Sequence, residues 1–427
     1  MLILYKFFCY INYPIWVLIF AVRRFKGKEH KLRYREKLGY FKEKRPKKEL
    51  IWVNALGLGE TLSLTLFLEE LSHAFPDYTL LITSSTLQSK EALENIPLNS
   101  NIIHQFAPVD NHYVLNRFLE YWKPKIALFS ELDIWPLRTR KVKERKIPLL
   151  LINARMNDRK KISRKRLGKL FTEPLKEFDH IFLQDQLSKS HFIDFGINED
   201  KITVNGPLKL AGTIFPDTRA IEERLKILFK GKLIFVAASL HFSEENEILE
   251  AYKIAKSHLP NLVLIMIPRS LELSKNTIKK AMSFSKFVTV RSNYSNLPKE
   301  DTEIFVINRV GELGLWYKMA FISFIGNSLN LKGIKEGKNP FEALQASSLV
   351  IHGPKMLEPG YDKLSSIGIS DIVENRYDIS SAVIKYSVAK LREEKIKRGL
   401  DYIKRNKSVA HKLIDHILER YDNREAK

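Results

Sequence analysis

Twelve short apolar runs, separated by polar turns and helical stretches, constrain this chain more than any other feature. They fall at residues 50–53, 79–83, 102–106, 126–130, 148–152 and 180–183, and again at 233–237, 262–267, 287–290, 304–307, 321–325 and 349–351. Helical periodicity lies between them, as at residues 60–75 and 113–122. Strands alternating with helices build parallel sheets covered on both faces. With 427 residues the chain exceeds one ordinary core. The expectation is therefore α/β, with two Rossmann-like domains facing a cleft. The expected organisation is an apolar segment at 1–22, a basic segment at 23–48 and a first α/β domain at 49–210. A linker at 211–232, a second α/β domain at 233–381 and a helical tail at 382–427 follow.

Open α/β sheets bind ligands beyond the C-terminal ends of their strands, so polar residues there carry weight. The first apolar run continues through Asn54-Ala55-Leu56-Gly57-Leu58-Gly59 to Glu60, which enters the first turn of a helix. A carboxylate in that place is either a structural match to the helix dipole or a catalytic base. Later strand ends carry Asp110, then Glu131 and Asp133, then Asn153 and Arg155. Singly, each reads as a helix cap or loop residue. Together, the carboxylates along one rim suit binding of sugar hydroxyls, or removal of a proton from one.

The second series differs. Val204 leads through Gly206 and Pro207 to Lys209; Ser239 and His241 follow the next strand, and Pro268 and Arg269 the one after. Gly311-Glu312-Leu313 and Gly326-Asn327-Ser328 come later, and Asn339-Pro340 with Glu342 opens another helix. Glycine turns beside helix starts and basic side chains make phosphate sites. Neither a Walker lysine loop nor a dinucleotide GxGxxG occurs, and the histidines lack zinc-ligand spacing.

The single cysteine, Cys9, excludes an internal disulfide framework. A formal net charge of +22 calls for an anionic partner or surface. Residues 23–48 hold thirteen Lys or Arg against three Glu, so this block supplies +10 of that charge. It directly follows the apolar segment, whose aromatics suit a headgroup region. That pairing reads as attachment to an anionic inner-membrane leaflet from the cytoplasmic side, either spanning or lying in the interface. Nucleic acid is not expected, because the cations gather beside this segment rather than along an aromatic stacking groove.

Taken in order, these runs resemble the 3-deoxy-D-manno-octulosonic acid (Kdo) transferases of Gram-negative bacteria, glycosyltransferases of GT-B type. The likeness includes Arg35-Glu36-Lys37-Leu38-Gly39, Gly59-Glu60, Pro108-Val109-Asp110, Glu131, Trp135-Pro136, Asn153-Ala154-Arg155, Pro268-Arg269, Gly311-Glu312-Leu313 and Asn339-Pro340 with Glu342. The resemblance implies CMP-Kdo as donor, bound by the C-terminal half, and a phosphorylated lipid A precursor of lipid IVA type as acceptor. It implies Glu60 as catalytic base, with Glu131 as a second functional carboxylate. Asp110, Asp133, Asn153 and Arg155 fall on the acceptor side. Lys209, Ser239, His241, Pro268, Arg269, Gly311, Glu312, Leu313, Asn339 and Glu342 fall on the donor side. No metal and no cofactor are implied, and the place in metabolism is lipopolysaccharide biosynthesis. The chain departs from the family pattern at Asn54 and Gly57, where the family carries His and Ser, and at Ser270, Lys338 and Phe242. Two alternatives remain: a diverged paralogue with another nucleotide-activated sugar or acceptor, and a non-catalytic, basic, membrane-tethered binding protein.

Overall fold

The computed structural model describes residues 2–293 and 295–421. Residues 1, 294 and 422–427, which belong to the expected anchor, second domain and tail, lie outside the described residues. The chain divides into two compact units, residues 1–214 with 407–427, and residues 215–406.

The first unit is built on a seven-stranded sheet. Its strands are β1 (Glu49–Asn54), β2 (Tyr78–Ser84), β3 (Ile102–Phe106), β4 (Ile126–Ser130), β5 (Leu149–Ala154), β6 (His180–Leu183) and β7 (Ile202–Val204). All pairings are parallel and the order is β3-β2-β1-β4-β5-β6-β7. The direction of winding therefore reverses between β1 and β4, and a crevice opens at such a switch point. The near-continuous apolar character of these strands follows from helices on both faces. Trp52 of β1 is fully buried, with its ring 4.7 Å from Phe118 and 5.0 Å from Phe129.

The second unit repeats the plan with β8 (Leu233–Leu240), β9 (Leu262–Pro268), β10 (Val288–Arg291), β11 (Ile304–Ile307), β12 (Ile322–Ile325), β13 (Leu349–His352) and β14 (Ser370–Ile372). The order is β10-β11-β9-β8-β12-β13-β14, again parallel, with the switch between β8 and β12. Gly326 closes β12 where a Cβ would stand 2.8 Å from the carbonyl oxygen of Ala238 and 2.9 Å from that of Ser239. Only glycine permits the two strand ends to approach so closely.

Two expectations need correction. The helix expected at 60–75 is two, Leu58–Ser63 and Thr65–Ala74. The hydroxyls of Thr61, Ser63 and Thr65 turn back onto the carbonyls of Gly57, Glu60 and Leu62, a local competition that bends helices. The tail expected as one appendage is shared. Helices Arg376–Ser387 and Ala389–Asn406 belong to the second unit, whereas Ser408–Tyr421 packs Val409, Leu413 and Ile417 into the core of the first.

The apolar N-terminus forms two helices, Leu2–Ile11 and Tyr13–Phe25, with Pro14 in the first turn of the second. Among the described residues no helix is long and apolar enough to cross a membrane. The junction is clamped to the first unit: the Asn111 amide donates to the Cys9 carbonyl and to Asn12 Oδ1, both at 2.8 Å. Outward-facing side chains remain bare, with Phe7 64%, Leu18 66% and Phe25 94% exposed. The following basic segment is partly consumed by internal pairing. Glu29 meets Lys37 at 2.5 Å and Arg23 at 2.6 Å, and Glu36 meets Arg33 at 2.6 Å while accepting from the Phe106 N–H.

Candidate active site

The two strands flanking the first switch point each deliver a glutamate. After β1 the backbone turns through Gly57 and the helix Leu58–Ser63 begins, with Glu60 in its first turn. Glu60 Oε2 accepts from the N–H groups of Leu56 and Gly57, at 3.0 and 3.3 Å. Its other oxygen, Oε1, has no hydrogen-bond partner among the described residues. One oxygen thus caps the turn, and the other carries no hydrogen bond within the described residues. Burial raises the Glu60 pKa above the ordinary value, and the nearby Asp133 charge adds to this; the capping N–H groups and the Lys160 ammonium oppose it.

After β4 comes Glu131, in the left-handed region at φ +61°. Non-glycine residues seldom adopt that conformation, and it concentrates at functional sites. Asn153, at the end of neighbouring β5, does the same at φ +54°. Glu131 Oε1 accepts from Gln184 Nε2 at 3.1 Å and Asn153 Nδ2 at 3.3 Å. Asn153 is itself fixed by the Leu208 N–H, at 3.0 Å. Burial pushes the Glu131 pKa up to about 7, assisted by Glu60 and opposed by the charges of Lys160, Lys209 and Arg155. Arg155 also stands 3.7 Å from Asp185.

Asp133 lies at the hub of a buried network. Its Oδ2 accepts from Asn54 Nδ2 at 2.5 Å and Arg138 at 3.0 Å, and its Oδ1 from Trp135 Nε1 at 2.6 Å. Asn54 Oδ1 accepts in turn from Thr83, whose hydroxyl accepts from Trp52 Nε1 at 2.9 Å. Asn54 and Thr83 meet because β1 and β2 pair them in register. Asp110 is buried differently. It accepts from the N–H groups of Leu137 and Arg138 at the start of the helix Pro136–Glu144, and from Tyr5 of the first N-terminal helix at 2.5 Å. Glu60, Glu131, Asp133 and Tyr5 line one cavity of about 590 Å³ with Leu56, Trp135, Lys160, Arg164, Leu167 and Phe171. Asp110 holds the wall of this cavity without lining it.

In the second unit the switch strands β8 and β12 again end in left-handed residues, Ser239 at φ +58° and Asn327 at φ +59°. One carboxylate ties both ends together. Glu244, fully buried, accepts from the N–H groups of His241, Asn327, Ser328 and Leu329 at 2.6–3.1 Å. Pro268 closes β9, and Arg269 reaches Asn327 Oδ1 at 3.5 Å. Burial lowers the Lys338 pKa, and the neighbouring Arg269 charge lowers it further. Asn339 Oδ1 accepts from the Phe341 N–H, and its amide donates to Glu342 at 3.2 Å. Burial raises the Glu342 pKa against that hydrogen bond. Gly311, at φ +88°, precedes Glu312 and Leu313, where the helix Leu313–Met319 begins. The Glu312 carboxylate is engaged inside the fold, bidentate to Arg291 at 2.7 and 3.0 Å and 3.0 Å from Arg309.

Sequence reasoning missed Tyr5, Lys160, Arg164, Gln184 and Glu244. The spacing of Lys160 and Arg164, one helical turn apart just after the Asn153-Ala154-Arg155 strand end, was a usable signal. The partners of Tyr5 and Glu244 lie 83 or more positions away, apart from His241, and left no local trace.

The sequence and the fold have known relatives. Residues 32–211 match the family model for 3-deoxy-D-manno-octulosonic-acid transferase (kdotransferase). A 3-deoxy-D-manno-octulosonic acid transferase from Rickettsia bellii is 31% identical over 83% of this chain and 83% of its own length. One from Haemophilus influenzae is 26% identical over 80% of this chain and 79% of its own. A solved structure of UDP-GlcNAc 2-epimerase from Neisseria meningitidis shares the fold, with a TM-score of 0.58 at 14% identity, covering 87% of this chain and 100% of that one. The chain belongs to the 3-deoxy-D-manno-octulosonic acid transferase family of glycosyltransferases.

Proposed function

We propose that the protein transfers Kdo from CMP-Kdo to a hydroxyl of a phosphorylated lipid A precursor of lipid IVA type, inverting the anomeric centre. The observation that carries this is Glu60: one oxygen held by the loop, the other open in a cavity, and a proton affinity raised by burial. A general base needs a pKa nearer the working pH than an ordinary carboxylate has. The acceptor oxygen forms a bond to the anomeric carbon of Kdo while the bond from that carbon to the CMP phosphate breaks. The hydroxyl proton passes to Glu60, and CMP leaves with the bonding electron pair. Glu131 positions the acceptor, with Asp133, Asn153 and Arg155 shaping the surroundings. No metal enters this scheme, because CMP is a stable anion.

In the second unit, Arg269 beside half-buried Lys338 supports an anionic donor group, since an anion relieves two neighbouring cations. Asn339 and Glu342 offer polar partners for a ribose, and Ser239, His241, Gly311 and Leu313 lie at the same strand ends. The acceptor is a membrane lipid. The exposed apolar side chains of the two N-terminal helices, with exposed Arg24, Lys26 and Lys28 after them, support docking at the cytoplasmic leaflet of the inner membrane.

Calorimetric titration with CMP and with UDP tests the donor. CMP is expected to bind and to compete with CMP-Kdo, and UDP to do neither. Binding of UDP without CMP contradicts the donor assignment and favours a different nucleotide sugar.

A further inference from the structure

The cavity that holds the carboxylates also has a cationic wall. The helix Asp158–Lys165 presents Lys160 and Arg164 on one face, a turn apart, and both line the cavity. Neither is ion-paired among the described residues. Their neighbours on the same helix face elsewhere: Lys161, for example, pairs with Asp194 at 2.5 Å. Arg164 lies over the ring of Phe171, its guanidinium carbon 5.5 Å from the centroid, so its neighbour is an aromatic face rather than a carboxylate. Lys160 is tethered by the Arg155 carbonyl at 3.4 Å, and its charge is felt by both Glu60 and Glu131.

From this juxtaposition we propose that Lys160 and Arg164 form the subsite for a phosphate group of the acceptor, on the sugar whose hydroxyl faces Glu60. The inference rests on the function proposed above and names the feature of the acceptor that the cavity selects. The chemistry is complementary. A phosphate carries up to two negative charges, and in a cavity bearing three carboxylates it is repelled unless cations meet it. Arg164 offers a planar fork and Lys160 a point charge, the two ways proteins bind phosphate. Because Lys160 and Arg164 line the same cavity as Glu60 and Glu131, an anion held by them shares that cavity with the reacting hydroxyl. Leu167, Leu170 and Phe171 supply the apolar remainder of that wall.

The test compares the full-length Lys160→Ala/Arg164→Ala variant with wild type on two acceptors, a bis-phosphorylated tetra-acylated diglucosamine lipid and its dephosphorylated form. For the phosphorylated acceptor KM is expected to rise about 10- to 100-fold; on the alkaline plateau of each pH profile, where loss of the Lys160 charge no longer affects ionisation of the two glutamates, kcat is expected within about threefold of wild type. For the dephosphorylated acceptor KM is expected to stay the same. A charge-matched control, Lys165→Ala/Arg166→Ala, removes two cations from the adjoining surface outside the cavity and should leave both KM values unchanged. Equal losses on both acceptors, an equal loss in the control, or no loss at all overturn the subsite. If wild type transfers no Kdo, donor-free binding of each lipid in nanodiscs gives the same comparison. Selective loss of the phosphorylated lipid then upholds the subsite while the transferase reading fails, and unselective or absent loss overturns it.

Discussion

Glu60→Gln is expected to lower kcat by about 10²- to 10⁴-fold, the range for loss of a positioned general base, while leaving the thermal unfolding midpoint near that of wild type. The substitution separates the two roles of this side chain. A glutamine oxygen can still accept from the Leu56 and Gly57 N–H groups, so the turn after β1 keeps its cap. The open position receives an amide instead of an oxygen, and an amide cannot take the hydroxyl proton. The pH profile carries the same information. As the proposed base, Glu60 would act only when deprotonated, and burial raises its pKa above the ordinary 4.5. In wild type, kcat/KM therefore falls as pH drops through a value above the usual carboxylate range. Glu131 is pushed up to about 7 and adds its own titration to that acid limb. The two glutamates interact, so the limb reports the pair rather than either residue. Activity retained by Glu60→Gln removes this residue from the chemistry.

The second large effect is on stability. Glu244→Ala leaves the N–H groups of His241, Asn327, Ser328 and Leu329 without their acceptor at a fully buried site. Each buried, unsatisfied group costs about 1–3 kcal/mol. Allowing for local relaxation, the expected loss is about 4 kcal/mol, or about 10 °C in Tm for a unit of this size. Glu244→Gln keeps one acceptor oxygen but turns its amide towards N–H donors, so it recovers only part of the loss. CMP affinity should fall in both variants, because the loop that Glu244 ties carries Asn327, the partner of Arg269. Differential scanning calorimetry decides the point. A midpoint within about 1 °C of wild type means that the loops hold without this carboxylate.

The elements of this fold were legible where local pattern determines them. Every one of the twelve apolar runs became a strand, because a strand buried on both faces must be apolar throughout. The edge strands β7 (Ile202–Val204) and β14 (Ser370–Ile372) fall outside those runs: each has three residues and, among the described residues, pairs on one side, with β6 and β13 respectively. The helix from Glu60 broke because its hydroxyls compete for backbone carbonyls, which apolar periodicity does not register. Within the site, sequence order placed Glu60 and Glu131 at strand ends but could not show that β1 and β4 are neighbours at the switch. Strand order is a property of topology, and no local signal encodes it. For the same reason Asp110 and Glu312 look alike in sequence to open-site carboxylates. In the structure each is absorbed by internal partners, Asp110 by a helix start and Tyr5, Glu312 by Arg291 and Arg309. The departure at Asn54 also acquires a physical setting. It is a buried link between Thr83 and Asp133, which explains why an uncharged amide with one donor and one acceptor face fits there.

The most direct test of the central claim is transfer by the wild-type protein itself. CMP-Kdo and a tetra-acylated, bis-phosphorylated lipid A precursor are incubated with the full chain, and the lipid is read by mass spectrometry. The account predicts lipid carrying added Kdo, with CMP released in equal amount. Unmodified lipid, from folded protein that binds CMP, contradicts the proposed acceptor; unmodified lipid with no CMP binding contradicts the proposed reaction altogether.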